Sequence, residues 1–392
     1  MTAQRTHIVV LGGGYAGSLA ANRLQQNTDI DITLVNPRSE FVQRLRLHQF
    51  AAGTGDATAD YGTLLGDRVQ LVVDSATRID PAERAVRLAA GGVLHYDYLV
   101  YAVGSTAATP PAVPGAAEFA CSIAELEHAA RLRDALAAAP GNARITVVGG
   151  GLTGIETAAE LAEQGRTVTL ICGGRLAPSF SEPARRSVAR WLTGHGVELL
   201  ENEVVAEVRP DAVVLAAGTT RPSAITVWTA GFGVPELAAV SGLRTDPLGR
   251  LLTDETLTSV DDDRIVAAGD ASAPSGRPLR MSCYTAGPTG ATAADTVLSR
   301  IAGVRPAVLD LAYLATNVGL GRRAATFHFT HKDDSPGTIY LGGRVGGRVA
   351  GSIKEAVTKG TLWAIGREAR KPGSSVWRKG GGIRPTQRLW DR

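Results

Sequence analysis

The sequence predicts an α/β protein organised around two parallel sheets, with a smaller α+β region at its C-terminal end. Three observations carry that prediction. A glycine-rich turn is written twice, as VVLGGGYAG at residues 9–17 and as VVGGGLTGIE at residues 147–156. Short apolar, β-branched runs (HIVVL, DITLV, YDYLVYAV, ITVVG, TVTLI, DAVVLAAG, RIVAAGD) alternate with helix-like stretches such as Ala16 to Gln26 and Ile155 to Gln164. This is the pattern of buried parallel strands joined by helices. After Leu311 it changes to strands separated by DDSPG and GG turns, followed by an Arg/Lys-rich end.

In the first copy Gly12, Gly14 and Gly17 form GxGxxG directly after a strand and at the mouth of a helix. A side chain at the first two glycines would obstruct the tight turn and the approach of a pyrophosphate, the third lets helix pack on strand, and the helix N-terminus supplies N–H donors. Gly149, Gly151 and Gly154 repeat the spacing. From first glycine to the end of the next strand is 24 residues to Asn36 and 23 to Cys172, so both copies are complete βαβ units by one ruler. Each reads as a Rossmann-like dinucleotide-binding domain.

Neither second strand ends in the acid that usually holds a ribose 2′-hydroxyl. Asn36 can still hydrogen-bond ribose hydroxyls through its amide. Cys172 is a poor partner, and Gly173, Gly174 and Arg175 follow it. With no carboxylate there to repel a 2′-phosphate and a guanidinium able to receive one, the residues lean toward NADPH or loose discrimination. Arg175 as a solvated surface residue, with NADH as the nucleotide, is the alternative.

The Pro-rich segment TPPAVPGA, residues 109–116, marks one passage between domains, and a second is expected near Thr226 to Gly233. The organisation expected is one Rossmann-like domain inserted in another: residues 1–110 with 231–310, then 111–230, and a C-terminal α+β domain over 311–392. Composition is ordinary for a globular chain, 44% hydrophobic and 20% charged. That excludes disordered and fibrous classes. The formal charge is +3, yet residues 351–392 carry ten Lys or Arg against three acids, so basic charge is concentrated in the tail. No secretory leader and no run of 18 apolar residues is found, which points to a cytoplasmic protein. Cys121, Cys172 and Cys283 match no CxxC dithiol and no zinc-site spacing, so no metal is expected.

The order GGGYAG, YAVGS at 101–105, GGGLTGIETAAEL, TAG at 229–231 and RIVAAGDAS at 264–272 resembles the flavoproteins with two dinucleotide-binding domains. Within them it is most similar to the type II NADH dehydrogenases. The resemblance implies FAD on the first turn, with Gly104, Gly269 and Asp270 around the flavin and Asp270 accepting from its ribityl chain. It implies NADH or NADPH on the second, with Gly231 nearby and Glu156 beside the nicotinamide. The connection FVQRLRLHQF, residues 41–50, would pass near the flavin, bringing Arg44 to it and His48 as a proton donor to a reduced quinone oxygen. Lys354 in GSIKEAV would reach the flavin from the last domain. Pro288 is expected to begin a helix whose N-terminus faces the isoalloxazine, with Cys283 lining the site or serving as a small buried hydrophobe. Sulfide:quinone reductases, which use separated cysteines, also resemble this order, so Cys121 and Cys283 both matter. Ala286, Gly287 and Pro288 stand where the respiratory enzymes carry AxxAxQ, a departure that opens the acceptor to a soluble quinone or another small aromatic compound.

The implied activity is transfer of hydride from NAD(P)H to FAD and of electrons onward to a quinone-like acceptor. A reductase of a ferredoxin or rubredoxin, docked by the basic tail, and a nucleotide-sensing protein without turnover are the alternatives. In the tail, Ile353, Ala356, Val357, Gly360 and Ala364 fall at helical spacing among basic residues, with Trp363, Trp377 and Trp390. A short amphipathic helix could place the chain at the inner face of a membrane. Packing against the acidic remainder or a second copy in a homodimer fits the same charge. Nucleic acid is a poor reading, since no base-stacking module accompanies it.

Overall fold

The computed structural model describes residues 5–108, 113–276 and 279–380. The chain opens with β1 (Thr6–Leu11), α1 (Tyr15–Leu24) and β2 (Ile30–Asn36). β1 and β2 pair in parallel, Ile8 against Ile32 and Leu11 against Val35. Ile8 to Leu11 are buried on both faces of the sheet, which is why this strand reads as an unbroken apolar run. After a short α2 (Leu47–Ala51), β3 (Val69–Val73) and β4 (Tyr98–Tyr101) join the same sheet, and the chain leaves through β5 (Thr106–Ala107).

A second sheet is built before the first is finished. β6 (Ala120–Ser122), α3 (Leu126–Ala138), β7 (Arg144–Val148), α4 (Leu152–Glu163), β8 (Thr167–Ile171), α5 (Glu182–Gly194), β9 (Glu198–Leu200) and β10 (Ile225–Trp228) follow in chain order. Their strands lie as β6-β10-β7-β8-β9, all parallel. The chain returns through β11 (Phe232–Gly233), which pairs antiparallel with β5, and β12 (Ile265–Ala267) completes the first sheet as β12-β4-β1-β2-β3. Both sheets thus carry their glycine turn on the central strand with neighbours in the same order. Open parallel sheets receive nucleotides at that point, beyond the carboxyl ends of the strands. The second passage starts later than Thr226, because Ile225–Trp228 is still sheet and only residues 229–233 cross. Residues 109–112 of the Pro-rich passage lie outside the described residues.

Helix α6 (Cys283–Ile301) packs along α1 so closely that a Cβ on Gly290 would lie 2.3 Å from the Ala16 carbonyl oxygen. This helix corrects one expectation: Pro288 stands inside it, and the start is set by Ser282, whose hydroxyl accepts the Thr285 N–H. A side-chain cap satisfies an orphan donor there, whereas proline at the first position merely lacks one.

The C-terminal part is an antiparallel sheet of β13 (Ala315–Leu320), β14 (Ala324–Thr330) and β15 (Pro336–Leu341), covered by α7 (Gly343–Arg370). The short amphipathic helix expected in the tail is instead 28 residues long. Gly342 and Gly343 lead into it rather than turning between strands, and it stops before Pro372, as a helix must when the residue preceding proline is pushed out of the helical region. Gly347, Ala350, Thr358 and Ile365 form its buried face. Trp390 lies outside the described residues. Replacing Gly290 by Ala should cost about 1–3 kcal/mol through overpacking of α6 on α1, read as a lower calorimetric unfolding midpoint.

Candidate functional site

The two glycine turns are the same object. Gly12 and Gly149 take φ of +99° and +124°, a region that L side chains rarely adopt. A Cβ on Gly17 would lie 1.8 Å from the Gly12 carbonyl oxygen, and one on Gly154 would lie 1.9 Å from that of Gly149. The first and third glycines are therefore demanded by protein packing. Gly14 and Gly151 are not: a Cβ on either meets nothing within 4 Å. Both are N-caps without a capping side chain, at the starts of α1 and α4, so the orphan N–H groups of these helix starts have no side-chain cap and the space beside the middle glycines is clear, the two conditions for seating a pyrophosphate.

Around the first turn the structure reassigns Asn36. Its Oδ1 accepts the Gly13 N–H at 3.0 Å and its Nδ2 donates to the Arg38 carbonyl at 2.8 Å, so the amide expected to bind ribose is used to hold the turn against β2. Arg44 and Asp270 do meet, through Ser105. Arg44 Nη1 donates to the Ser105 carbonyl at 2.7 Å and to its hydroxyl at 2.9 Å, and that hydroxyl donates to Asp270 Oδ2 at 2.6 Å. Burial pulls the Arg44 guanidinium below its ordinary pKa, with the Asp270 carboxylate opposing. Asp270 Oδ1 is buried and takes no hydrogen bond from any described residue, a buried acceptor that a ligand hydroxyl would satisfy. Gly104 and Gly269, with φ of +72° and +71°, turn the chain at the ends of β4 and β12, and the Gly269 N–H is held by Thr289 Oγ1 at 2.9 Å.

A second cluster joins three parts of the chain. Glu156, in the second turn of α4, accepts the Gly319 N–H at 2.8 Å and a hydrogen bond from the Lys354 ammonium, which also donates to Asn317 Oδ1 at 3.1 Å. Burial, the largest single influence, opposes ionisation of Glu156, but the Lys354 charge, the nearby His48 and the hydrogen bonds from Lys354 and Gly319 together hold the carboxyl below the usual range. His48 Nδ1 lies 3.8 Å from Glu156 Oε2, and its side chain is 7% exposed. Burial takes the imidazole down to about 4. His48 is consequently neutral at pH 7, which corrects the expectation of a donor titrating near neutrality. Asn317 and Gly319 were invisible in the sequence, because nothing in the spacing of β13 links it to α4.

Cys283 begins α6 within the fields of Lys354, Asp270 and Glu156, and burial pushes its thiol up to about 11. Cys121 lies on the edge strand β6 beside Arg131. All three cysteines are free. Arg175 is 65% exposed and donates to Glu182 at 2.8 Å, while Gly231, with φ of +83°, follows Thr229, whose hydroxyl donates to the Val148 carbonyl at 2.8 Å. Among the described residues no three His, Cys, Asp or Glu side chains gather as metal ligands, and no helix is long and apolar enough to cross a membrane.

Two dinucleotide cradles, with polar clusters from all three parts of the chain, define an oxidoreductase of the flavoprotein class. The chain belongs to the pyridine nucleotide-disulphide oxidoreductase family, whose model matches residues 6–295, and the family relatives work with FAD and NADH. It is 30% identical to an NADH dehydrogenase-like protein of Mycobacterium tuberculosis, over 82% of this chain and 87% of that one. It is 26% identical to the type II NADH:quinone oxidoreductase of Staphylococcus haemolyticus, over 93% and 97%. The fold is shared with the sulfide:quinone oxidoreductase of Aquifex aeolicus, TM-score 0.79 at 21% identity over 94% and 93% of the chains. It is also shared with the Plasmodium falciparum NDH2 in complex with NADH, TM-score 0.76 at 15% identity over 95% and 99%. Cys121, Cys172 and Cys283 of this chain form no disulfide and no CxxC pair.

Gly14→Ala should leave the apoprotein's unfolding midpoint nearly unchanged yet reduce the flavin it retains, whereas Gly17→Ala should lower the midpoint itself; absorbance at the flavin band and calorimetry separate the two. Because the folded pKa of His48 lies below the unfolded value, the unfolded chain binds an extra proton as pH falls from about 6.5 toward 4. Stability is lost across that window, and His48→Gln should flatten this part of a pH series of urea midpoints.

Proposed function

We propose that the chain is an FAD-dependent NAD(P)H oxidoreductase that passes electrons to a quinone or similar small aromatic acceptor. The observation that carries this reading is the pair of open middle glycines, since each cradle is shaped for something other than the protein itself. In this assignment residues 1–110 with 231–310 hold FAD, 111–230 hold the nicotinamide nucleotide, and 311–392 form the C-terminal α+β domain. Bound in the first cradle, FAD supplies hydride acceptance from the nicotinamide and release of electrons to a second substrate.

The rest is work for this chain's residues. The N-termini of α1 and α4 take the two pyrophosphates, with Gly14 and Gly151 admitting them. Asp270 Oδ1, buried without a partner among the described residues, would accept a hydroxyl of the bound FAD, and Ser105 with Arg44 holds that carboxylate in place. Glu156 and Lys354 tie the nucleotide half to the last domain, and Lys354 is the cation able to offer a proton to a reduced acceptor oxygen. The outer face of α7 exposes Val345, Val349, Ile353, Val357 and Trp363, with Arg344, Arg348, Lys359 and Arg367 among them. Such a stripe suits contact with an anionic membrane surface, where a lipid quinone would be met.

Anaerobic mixing with NADH or NADPH should bleach the yellow flavin, and menadione should restore the colour faster than a ferredoxin. A protein that stays colourless after incubation with FAD would end the reading, and faster reoxidation by ferredoxin would move it to the electron-transfer alternative. Lys354→Met should slow reoxidation by the quinone on the order of 10²-fold and destabilise the fold by roughly 3–5 kcal/mol, by stranding a buried carboxylate. Adding Glu156→Gln should recover stability but not the rate.

A further inference from the structure

We infer that Glu201 supplies the ribose acceptor absent from the end of β8, and that it makes the chain select NADH over NADPH. The inference rests on the second glycine turn being the nicotinamide-nucleotide cradle. In such a cradle the acid that recognises the ribose 2′-hydroxyl stands where Cys172 is found. The neighbouring strand fills the gap. Leu200 pairs with Ile171, and the Cys172 N–H donates to the Leu200 carbonyl at 2.9 Å, so Glu201 flanks Cys172 directly.

The backbone laces the two strand ends together. The Gly173 N–H donates to the Glu203 carbonyl at 2.9 Å, and the Asn202 N–H to the Gly174 carbonyl at 2.8 Å. Glu201 Oε1 accepts the Leu176 N–H and Arg185 Nη1, each at 2.8 Å, which anchors the carboxylate against residues 172–176. Its Oε2 has only a 3.1 Å contact with the same guanidinium nitrogen, leaving acceptor capacity for a hydroxyl. A Cβ on Gly173 or Gly174 would meet nothing within 4 Å, so the ground beside Glu201 is open. The carboxylate's field reaches Cys172, where burial first and Glu201 second push the thiol up to about 12.

Arg175, Arg185 and Arg186, the guanidinium groups that follow β8, are already engaged. Glu182 accepts from Arg175, Arg185 and Arg186. A ribose hydroxyl donates to Glu201. A 2′-phosphate carries about two negative charges and would be set beside that carboxylate. This replaces the lean toward NADPH that Arg175 suggested in the sequence.

Calorimetry with the purified flavoprotein should show 5′-AMP binding more tightly than 2′,5′-ADP. Rapid mixing should give NADH a kcat/KM for flavin reduction at least about tenfold above that of NADPH, the scale of one like-charge contact near a surface. Glu201→Gln should bring the two nucleotides to within a few-fold of each other, and Glu201→Asp should retain the preference. Equal or tighter binding of 2′,5′-ADP by the unmodified protein overturns the inference, even if the Gln variant does not fold. Equal use of NADPH does the same. If neither AMP analogue binds and neither nucleotide reduces the flavin, the assignment of the cradle itself fails, a result distinct from loss of preference.

Discussion

The contact between the third glycine of each turn and the carbonyl of the first is the constraint on which the rest of the molecule depends. It brings the start of a helix against the end of a central strand with no room for a methyl group. Once that approach is made, the helix's unpaired N–H groups converge on the space beyond the sheet. The middle glycine keeps that space clear. Because the same approach is made twice, and both sheets carry the same neighbour order around it, two helix N-termini are presented by equivalent architecture from two places in one chain.

A second constraint decides how the parts act together. Glu156 lies in the second turn of its helix in the inserted half, yet its hydrogen-bond partners Gly319 and Lys354 belong to the C-terminal sheet and helix, and His48, close by, to the first half. A buried carboxylate with these two hydrogen-bond partners keeps its charge only while the inserted half and the C-terminal part are in register, since an unpaired charge there would be expensive. Leu47 and Ala51 from α2, and Val318 and Leu320 from β13, also pack in the apolar core of the inserted half. Polar and apolar contacts therefore agree on one arrangement.

What could be read from the sequence follows how local each feature is. The glycine turns, most of the parallel strands and the βαβ ruler were legible because backbone conformation and apolar runs are written within a few residues, but DAVVLAAG, read with the parallel strands, forms Ala212–Leu215 in a separate antiparallel sheet. Glu156, Lys354, Asp270 and Arg44 could be named from motifs, but not the company they keep: Lys354 stands 198 residues from Glu156. His48 was misjudged for the same reason, since its proton affinity is set by burial beneath elements remote in sequence. Asn36 was read as able to hydrogen-bond ribose hydroxyls because it ends the second strand, whereas its amide is taken up by the Gly13 N–H and the Arg38 carbonyl. Pro288 was read as a start signal although Ser282, six residues earlier, offers the stronger one. The length of α7 was missed because its glycines weaken helix propensity, and packing on the sheet compensates.

The pairing of β5 with β11 has a topological meaning. Thr106 sits opposite Gly233 and Ala107 opposite Phe232, so the chain departs from the first sheet and comes back to it through one ribbon. Seen from the outer unit, everything between is a single enormous hairpin loop. Closing a long loop adds little entropy beyond closing a moderate one, and the ribbon already holds its ends in contact. The outer sheet's strand order, β12-β4-β1-β2-β3, is therefore completed whatever length of chain the ribbon encloses.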